Sequence, residues 1–220
     1  LLFFTPPYPA LLSSKVFFFK GLNNQNQLRR CVMNKREIET VEKEYDALLE
    51  KNFVEKLKIK KKKLSEDELR KVVRAFLEEN TICTLATCSN NVPRSTPVRY
   101  RSKDFTIYVL AEGGMKIKNM RENPLVSVSI YGDYSGFQSV RGLQMWGKAE
   151  IINPDAGERY LEANRIVNLE GRKDLKGLGI ENIKHNMKAI KITIERARYL
   201  SIPDGVFNQI LSITDTKQKK

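Results

Sequence analysis

The feature that most constrains this chain is a change of period near residue 80. Before it, apolar residues recur at helical spacing; beyond it they alternate one by one, the pattern of a strand with one face buried. Six runs read as strands: TICTLATC from Thr81, STPVRYR from Ser95, DFTIYVLA from Asp104, LVSVSIY from Leu125, GLQMWGKAEII from Gly142, and the series Ile190, Ile192, Ile194, the alternation being strict in LVSVSIY and in the last. In LVSVSIY, Val126, Val128 and Ile130 share one face while Ser127 and Ser129 take the other. Turn residues such as those of SNNVP separate the runs. Strands of similar length joined this way predict an antiparallel meander, and a small closed or split barrel disposes of its edges. The expected fold is therefore mainly β with flanking helices, a split β-barrel preceded by an N-terminal helical extension.

Helical signals flank the strands. Ile38, Val41, Tyr45, Leu48 and Leu49 predict a surface helix from Lys35 to about Leu57. Ser65 and Glu68 form a capping box ahead of the stripe Leu69, Val72, Val73, Phe76 and Leu77, predicting a helix that ends at Asn80. MKIKNMREN, from Met115, reads as a short helix stopped by Asn123-Pro124. Asn153-Pro154 reads as the cap of another, running to about Leu169.

At 220 residues the chain has room for one barrel-sized domain and an appendage. The expected division is an extension over 1–32, a helical arm and lysine-rich linker over 33–64, the barrel over 65–212 and a disordered tail over 213–220. The first stretch, LLFFTPPYPALLSSKVFFFKG, is apolar, but Pro6, Pro7, Pro9, Lys15 and Lys20 interrupt it well short of the roughly 20 residues of a spanning helix. It also lacks the basic start of a signal peptide, and Met33 opens the first amphipathic pattern. The expectation is that the native protein starts at Met33; a peripheral membrane anchor is the alternative.

The formal net charge of +13 favours anionic partners. Its densest block, Lys58-Ile59-Lys60-Lys61-Lys62-Lys63, has no interleaved aromatics for base stacking and reads as a solvated linker, so neither nucleic acid nor membrane is expected as a partner. Cys31, Cys83 and Cys88 match no zinc spacing, and their odd number speaks for a reducing, cytoplasmic compartment. Cys83 and Cys88 read as small buried hydrophobes and Trp146 as packing or interface. His185, in a Gly- and Lys-rich loop, is assigned no role.

Three stretches, VPRSTPVRY, GGMKIKNMRENPLVSV and LQMWGKAEII, carry a Pro-Arg strand start, a lysine seven residues before Asn-Pro, and a late strand ending Gly-x-Ala-Glu. In order and spacing this resembles the pyridoxamine 5'-phosphate oxidase-like FMN-binding split barrels, over roughly Leu77 to Asp204. The resemblance implies FMN as cofactor, with its phosphate held by Arg94, Arg99 and Lys116. It implies a ring held along Ser95, Thr96, Pro97 and Val98 and near Val109 and Leu110, with Gly113 and Gly114 letting backbone approach the phosphate. It also implies a homodimer with the flavin at the interface. Met115 stands where the oxidases often have an arginine, and Gly142 where they commonly have glutamine; Gln144, two residues on and on the same strand face, is the replacement candidate. The arginine- and tryptophan-bearing C-terminal segment of the oxidases is not recognisable in YLSIPDGVFNQILSITDTKQKK. The expected function is thus an FMN-dependent oxidoreductase of unknown small-molecule substrate, related to those oxidases but not itself oxidising vitamin B6. The alternative is a split barrel that binds haem or deazaflavin, or holds flavin without catalysis.

Overall fold

The computed structural model describes residues 35–49, 51, 58–168, 171 and 187–213. The chain divides into two compact units, 1–44 and 45–220. Of the first, the described part is helical: residues 35–44 belong to α1 (Lys35–Leu49). Cys31, His185, the stretch 1–32 and the tail beyond Ile213 lie outside the described residues.

In the second unit, α2 (Glu66–Glu79) starts where its capping box predicts: Glu68 N donates to Ser65 Oγ, and Ser65 N donates to the Glu68 carboxylate. That backbone hydrogen bond holds the Glu68 carboxyl below its ordinary value. Leu69, Val73, Phe76 and Leu77 are buried, which is what turns a weak helical propensity into a fixed element. Eight strands follow: β1 (Ile82–Ser89), β2 (Val92–Arg99), β3 (Arg101–Lys103), β4 (Thr106–Ala111), β5 (Leu125–Tyr131), β6 (Arg141–Ile152), β7 (Lys188–Ser201) and β8 (Val206–Ser212). The helices α3 (Met115–Glu122) and α4 (Glu158–Val167) connect them.

All strand pairings are antiparallel, in the order β2-β1-β5-β6-β7-β4-β3, with β8 added to β7. The two ends of that order are consecutive in sequence and joined by Tyr100, so the sheet curls into a split barrel. Tyr100 is fully buried; its N–H donates to Thr81 O at 2.8 Å and its hydroxyl to Leu77 O at 2.9 Å, and burial raises its phenol pKa. Asn90 and Asn91, with φ of 50° and 61°, make the two-residue turn from β1 to β2, a conformation asparagine tolerates. β7 is the spine: β6 runs along one side, while β4 and β8 share the other. At the β6–β7 bulge a Cβ on Gly147 would lie 2.1 Å from Thr193 O, so only glycine allows the two backbones this approach.

The inward residues form one core from α2 through Leu85, Ile107, Val128, Met145, Ile192 and Tyr199. Phe76 meets Tyr199 edge to face at 5.8 Å. Cys83 sits in this core, and burial pushes its thiol up to about 12; Cys88 is half-buried. A smaller cluster of Tyr108, Ile152, Tyr160, Ala163 and Ala189 lies under α4.

Three local expectations are corrected. Asn153-Pro154 does not cap α4: it makes a turn in which Ala156 N donates to Asn153 O, and the helix starts after Gly157. β7 continues to Ser201 and turns at Pro203-Asp204-Gly205 into β8, so the C-terminal segment is part of the sheet. The lysine run keeps exposed side chains, but its backbone is pinned, because Lys62 N donates to Gly205 O at 2.7 Å. Gln209 clasps Leu64 by accepting from its N–H at 3.0 Å and donating to its carbonyl at 2.6 Å. α1 ends its regular turns at Leu49, and the expected continuation over 52–57 lies outside the described residues.

Candidate functional site

Among the described residues, two clefts matter here: one takes Leu110, Gly113, Gly114 and Lys116 of the residues singled out from sequence, the other takes Gln144, and the residues of β2 line neither. The first is polar and open, of 660 Å³, at the corner between β4 and α3, lined by residues 110–114, Lys116 and Met187. Gly114 has φ of +88°, a conformation that L side chains rarely adopt, and its carbonyl receives the N–H groups of Ile117 and Lys118. The N–H groups of Met115 and Lys116, which precede these, have no acceptor inside the helix. Lys116 Nζ folds over the corner, donating to Gly113 O at 3.0 Å.

α3 is held here by a buried polar contact: Asn119 Nδ2 donates to Thr87 Oγ1 at 3.2 Å. Thr87 pairs across the strands with Arg94. Asn119 lies one turn after Lys116 on the same flank of α3, so the contact sets the Thr87–Arg94 pair against this helix. Arg99 is not brought there. It stands five residues along β2, on the opposite face and about 16 Å away along the strand. Within one chain, Arg94 and Arg99 therefore do not face the same point.

The alternation of β2 divides its other residues as well. Thr96 and Val98 lie on the inner face opposite Leu85 and Cys83, whereas Ser95 and Pro97 lie on the outer face opposite Ala86 and Thr84. Val109 is 1% exposed within the core, and Leu110 is half-buried toward α4. Gln144 shares the outer face with Ser95 and Pro97, but β1 and β5 lie between, a separation of about 14 Å. Trp146, beside it on β6, is covered by the Arg196 guanidinium at 4.2 Å.

Gln144 opens instead on the second cleft, an apolar one of 440 Å³. Its walls come from Tyr45 of α1, Tyr131 at the end of β5, Phe137, Leu200 at the end of β7 and Phe207 of β8. Sequence reasoning missed this cleft because it assigned no strand to β8. The Pro203-Asp204-Gly205 turn, between Leu200, Ile202 and Val206, Phe207, was the available signal.

A family model for pyridoxamine 5'-phosphate oxidase matches residues 69–201. The chain belongs to this family. The match begins within α2 and ends with β7, so it covers the polar corner, while Tyr45 and Phe207 of the apolar cleft fall outside it. No curated protein matches the chain. Solved structures share the pyridoxamine 5'-phosphate oxidase-like fold. A heme binding protein from Mycobacterium smegmatis matches with 17% identity and a TM-score of 0.50, over 69% of this chain and 58% of that one. A protein related to general stress protein 26 from Clostridium acetobutylicum matches with 15% identity and a TM-score of 0.50, over 68% and 97%. A FAD-binding protein from Mesorhizobium loti matches with 26% identity and a TM-score of 0.48, over 61% and 92%.

Among the described residues, no group of histidine, cysteine, aspartate and glutamate side chains is placed to hold a metal ion. No helix among them is long and apolar enough to cross a membrane.

Proposed function

We propose that this member of the pyridoxamine 5'-phosphate oxidase family is an FMN-dependent redox protein acting on a small molecule, with the flavin phosphate seated at the Gly113–Lys116 corner. The observation that supports the reading is the corner itself, where Gly113, Gly114 and Lys116 meet the start of α3, with the Thr87–Asn119 contact setting the strand pair that carries Arg94 against the same helix. A phosphate dianion suits that donor set: the lysine and arginine supply charge-assisted hydrogen bonds, and the helix N-terminus adds oriented N–H groups. Glu112 in the same lining opposes an anion and weakens the site.

FMN, when bound, would supply the electron transfer. The protein's part is to bind, orient and shield. Lys116 and Arg94 would take the phosphate, and Ser95 and Pro97 would flank the ring. Gln144, about 14 Å from β2 within one chain, would reach the same flavin from a second copy, which favours a homodimer joined through the outer sheet face. Ile82 on that face is 64% exposed, as an interface residue in a separated chain would be.

The test is titration of FMN and riboflavin into the apoprotein, with sedimentation of both forms. FMN should bind at one per chain, far more tightly than riboflavin, and drive dimerisation by mass action. A chain that binds neither flavin, or that is purified with the single intense band of haem, refutes the reading.

A further inference from the structure

We propose that the lysine run Lys58–Lys63 is a docking surface for a short acidic segment of a partner polypeptide. Five of these six residues are lysines, all exposed, and the fold holds their backbone in place. Lys62 N donates to Gly205 O at 2.7 Å. Gly205 has φ of +67°, and a Cβ there would lie 2.1 Å from Lys60 O, so the turn after β7 is shaped to receive this stretch. At the far end Leu64 is buried and gripped by Gln209 through both its N–H and its carbonyl. A tethered linker would let its charges spread apart, whereas this one keeps them together.

The charges are also left without counter-charges. Among the described residues, no ion pair involves Lys58, Lys60, Lys62 or Lys63. Of the acids that follow, Glu66 pairs with Arg70 and Glu68 accepts from Ser65 in the capping box. Like charges held side by side repel, and an anionic partner relieves that repulsion. Neither the run nor Gly205 and Gln209 lines either cleft, and all lie outside the residues that the family model matches. The surface is therefore independent of the flavin reading.

Three features favour carboxylates on a polypeptide over other polyanions. No aromatic residue stands between Lys58 and Glu68, so bases would find nothing to stack on. The cations are all lysines, hydrated point charges without the fork that grips phosphate through two bonds. The positive surface also stops abruptly at Glu66, Asp67 and Glu68. A bilayer or a long nucleic acid laid on the run would meet these acids too, while a short acidic segment fits between its ends.

The probe is a fluorescein-labelled hexaglutamate peptide, titrated by anisotropy into the full chain. It should saturate at one per chain and be released as salt rises, since these charges face solvent. Changing Lys60→Gln, Lys62→Gln and Lys63→Gln together should weaken it about tenfold. Lys43→Gln, Lys103→Gln and Lys148→Gln together remove the same net charge from exposed positions elsewhere and should change it less than about twofold. Gln209→Ala releases the end of the run and should weaken the peptide about threefold, because the run must then be ordered on binding. Parental affinity in the Lys60, Lys62 and Lys63 variant, or an equal loss in the control, overturns the surface. Parental affinity in Gln209→Ala overturns its pinned geometry as the basis of binding. Tighter binding of hexauridylate than of the peptide assigns the run to nucleic acid. Co-sedimentation with vesicles of equal parts phosphatidylcholine and phosphatidylserine, lost in the Lys60, Lys62 and Lys63 variant, assigns it to a membrane. Either result overturns the acidic polypeptide as partner.

Discussion

The two clefts are built in different ways. The polar corner is almost local: residues 110–116 supply most of its lining, and a glycine with a positive φ together with a helix start make its chemistry. The apolar cleft is assembled from α1, β5, β6, β7 and β8, whose contributing residues run from Tyr45 to Asn208. A local site announces itself as a motif, whereas an assembled one exists only once strand order and register bring its walls together. The first cleft lies within the family match, and the second draws walls from beyond it.

The largest expected effect strikes both clefts at once, because both depend on the β6–β7 spine. Gly147→Ala places a Cβ against the Thr193 carbonyl, and the backbones must part. A loss of about 3 kcal/mol is expected in urea unfolding. A variant as stable as the parent would show that the spine is not so closely packed.

The next effect separates the clefts. Lys116→Ala and Arg94→Ala should each weaken FMN by roughly one to two decades, the worth of a hydrogen bond to a charged group at about 1.5–3 kcal/mol, while riboflavin changes little. Arg99→Ala, on the opposite face of β2, should fall well short of that. If Arg99→Ala costs FMN as much as Arg94→Ala, the single-chain corner is incomplete and the second cation comes from across an interface.

A smaller effect should touch the apolar cleft alone. Asp46→Ala removes the hydrogen bond that Asn208 Nδ2 donates to Asp46 Oδ1 and should cost about 1 kcal/mol, with faster amide exchange at the end of α1. FMN affinity should not move.

The smallest effect belongs to neither cleft. The Cys83 thiol is raised by burial from 9.0 to about 12, and burial raises the Tyr100 phenol as well. Both are acids held neutral by the fold, so their contribution to stability is complete below pH 9 and declines as pH rises toward 12. Urea midpoints on either side of pH 9 should therefore fall on the alkaline side, and Cys83→Ala should flatten that fall. A midpoint that rises with pH there would contradict the sign.

The elements show the same contrast between short and long range. The Ser65–Glu68 box, the Asn123-Pro124 stop and the alternation of Leu125–Tyr131 act between residues a few positions apart, and each was legible. Asn153-Pro154 misled because a turn and a helix cap use the same residue types, and Gly157 decided between them. β8 was missed because its pattern is weak: Phe207, Asn208 and Gln209 are half-buried, and the strand owes its place to pairing with β7.

Read alone, the sequence determined that the chain is an alternating β protein with capped helices, that it resembles the pyridoxamine 5'-phosphate oxidase family, and that Lys116 stands beside a glycine corner. These follow from periodicity and from hydrogen bonds that span three or four residues. Tertiary structure alone decided that Arg94 and Arg99 take opposite faces of β2, that the Val109 side chain belongs to the core, and that Gln144 opens on a different cleft. Such outcomes depend on the register of β1 against β2, on the two strands between β2 and β6, and on closure at Tyr100. A one-residue slip in register exchanges the faces of a strand, and nothing within the strand's own sequence records which partner will set it.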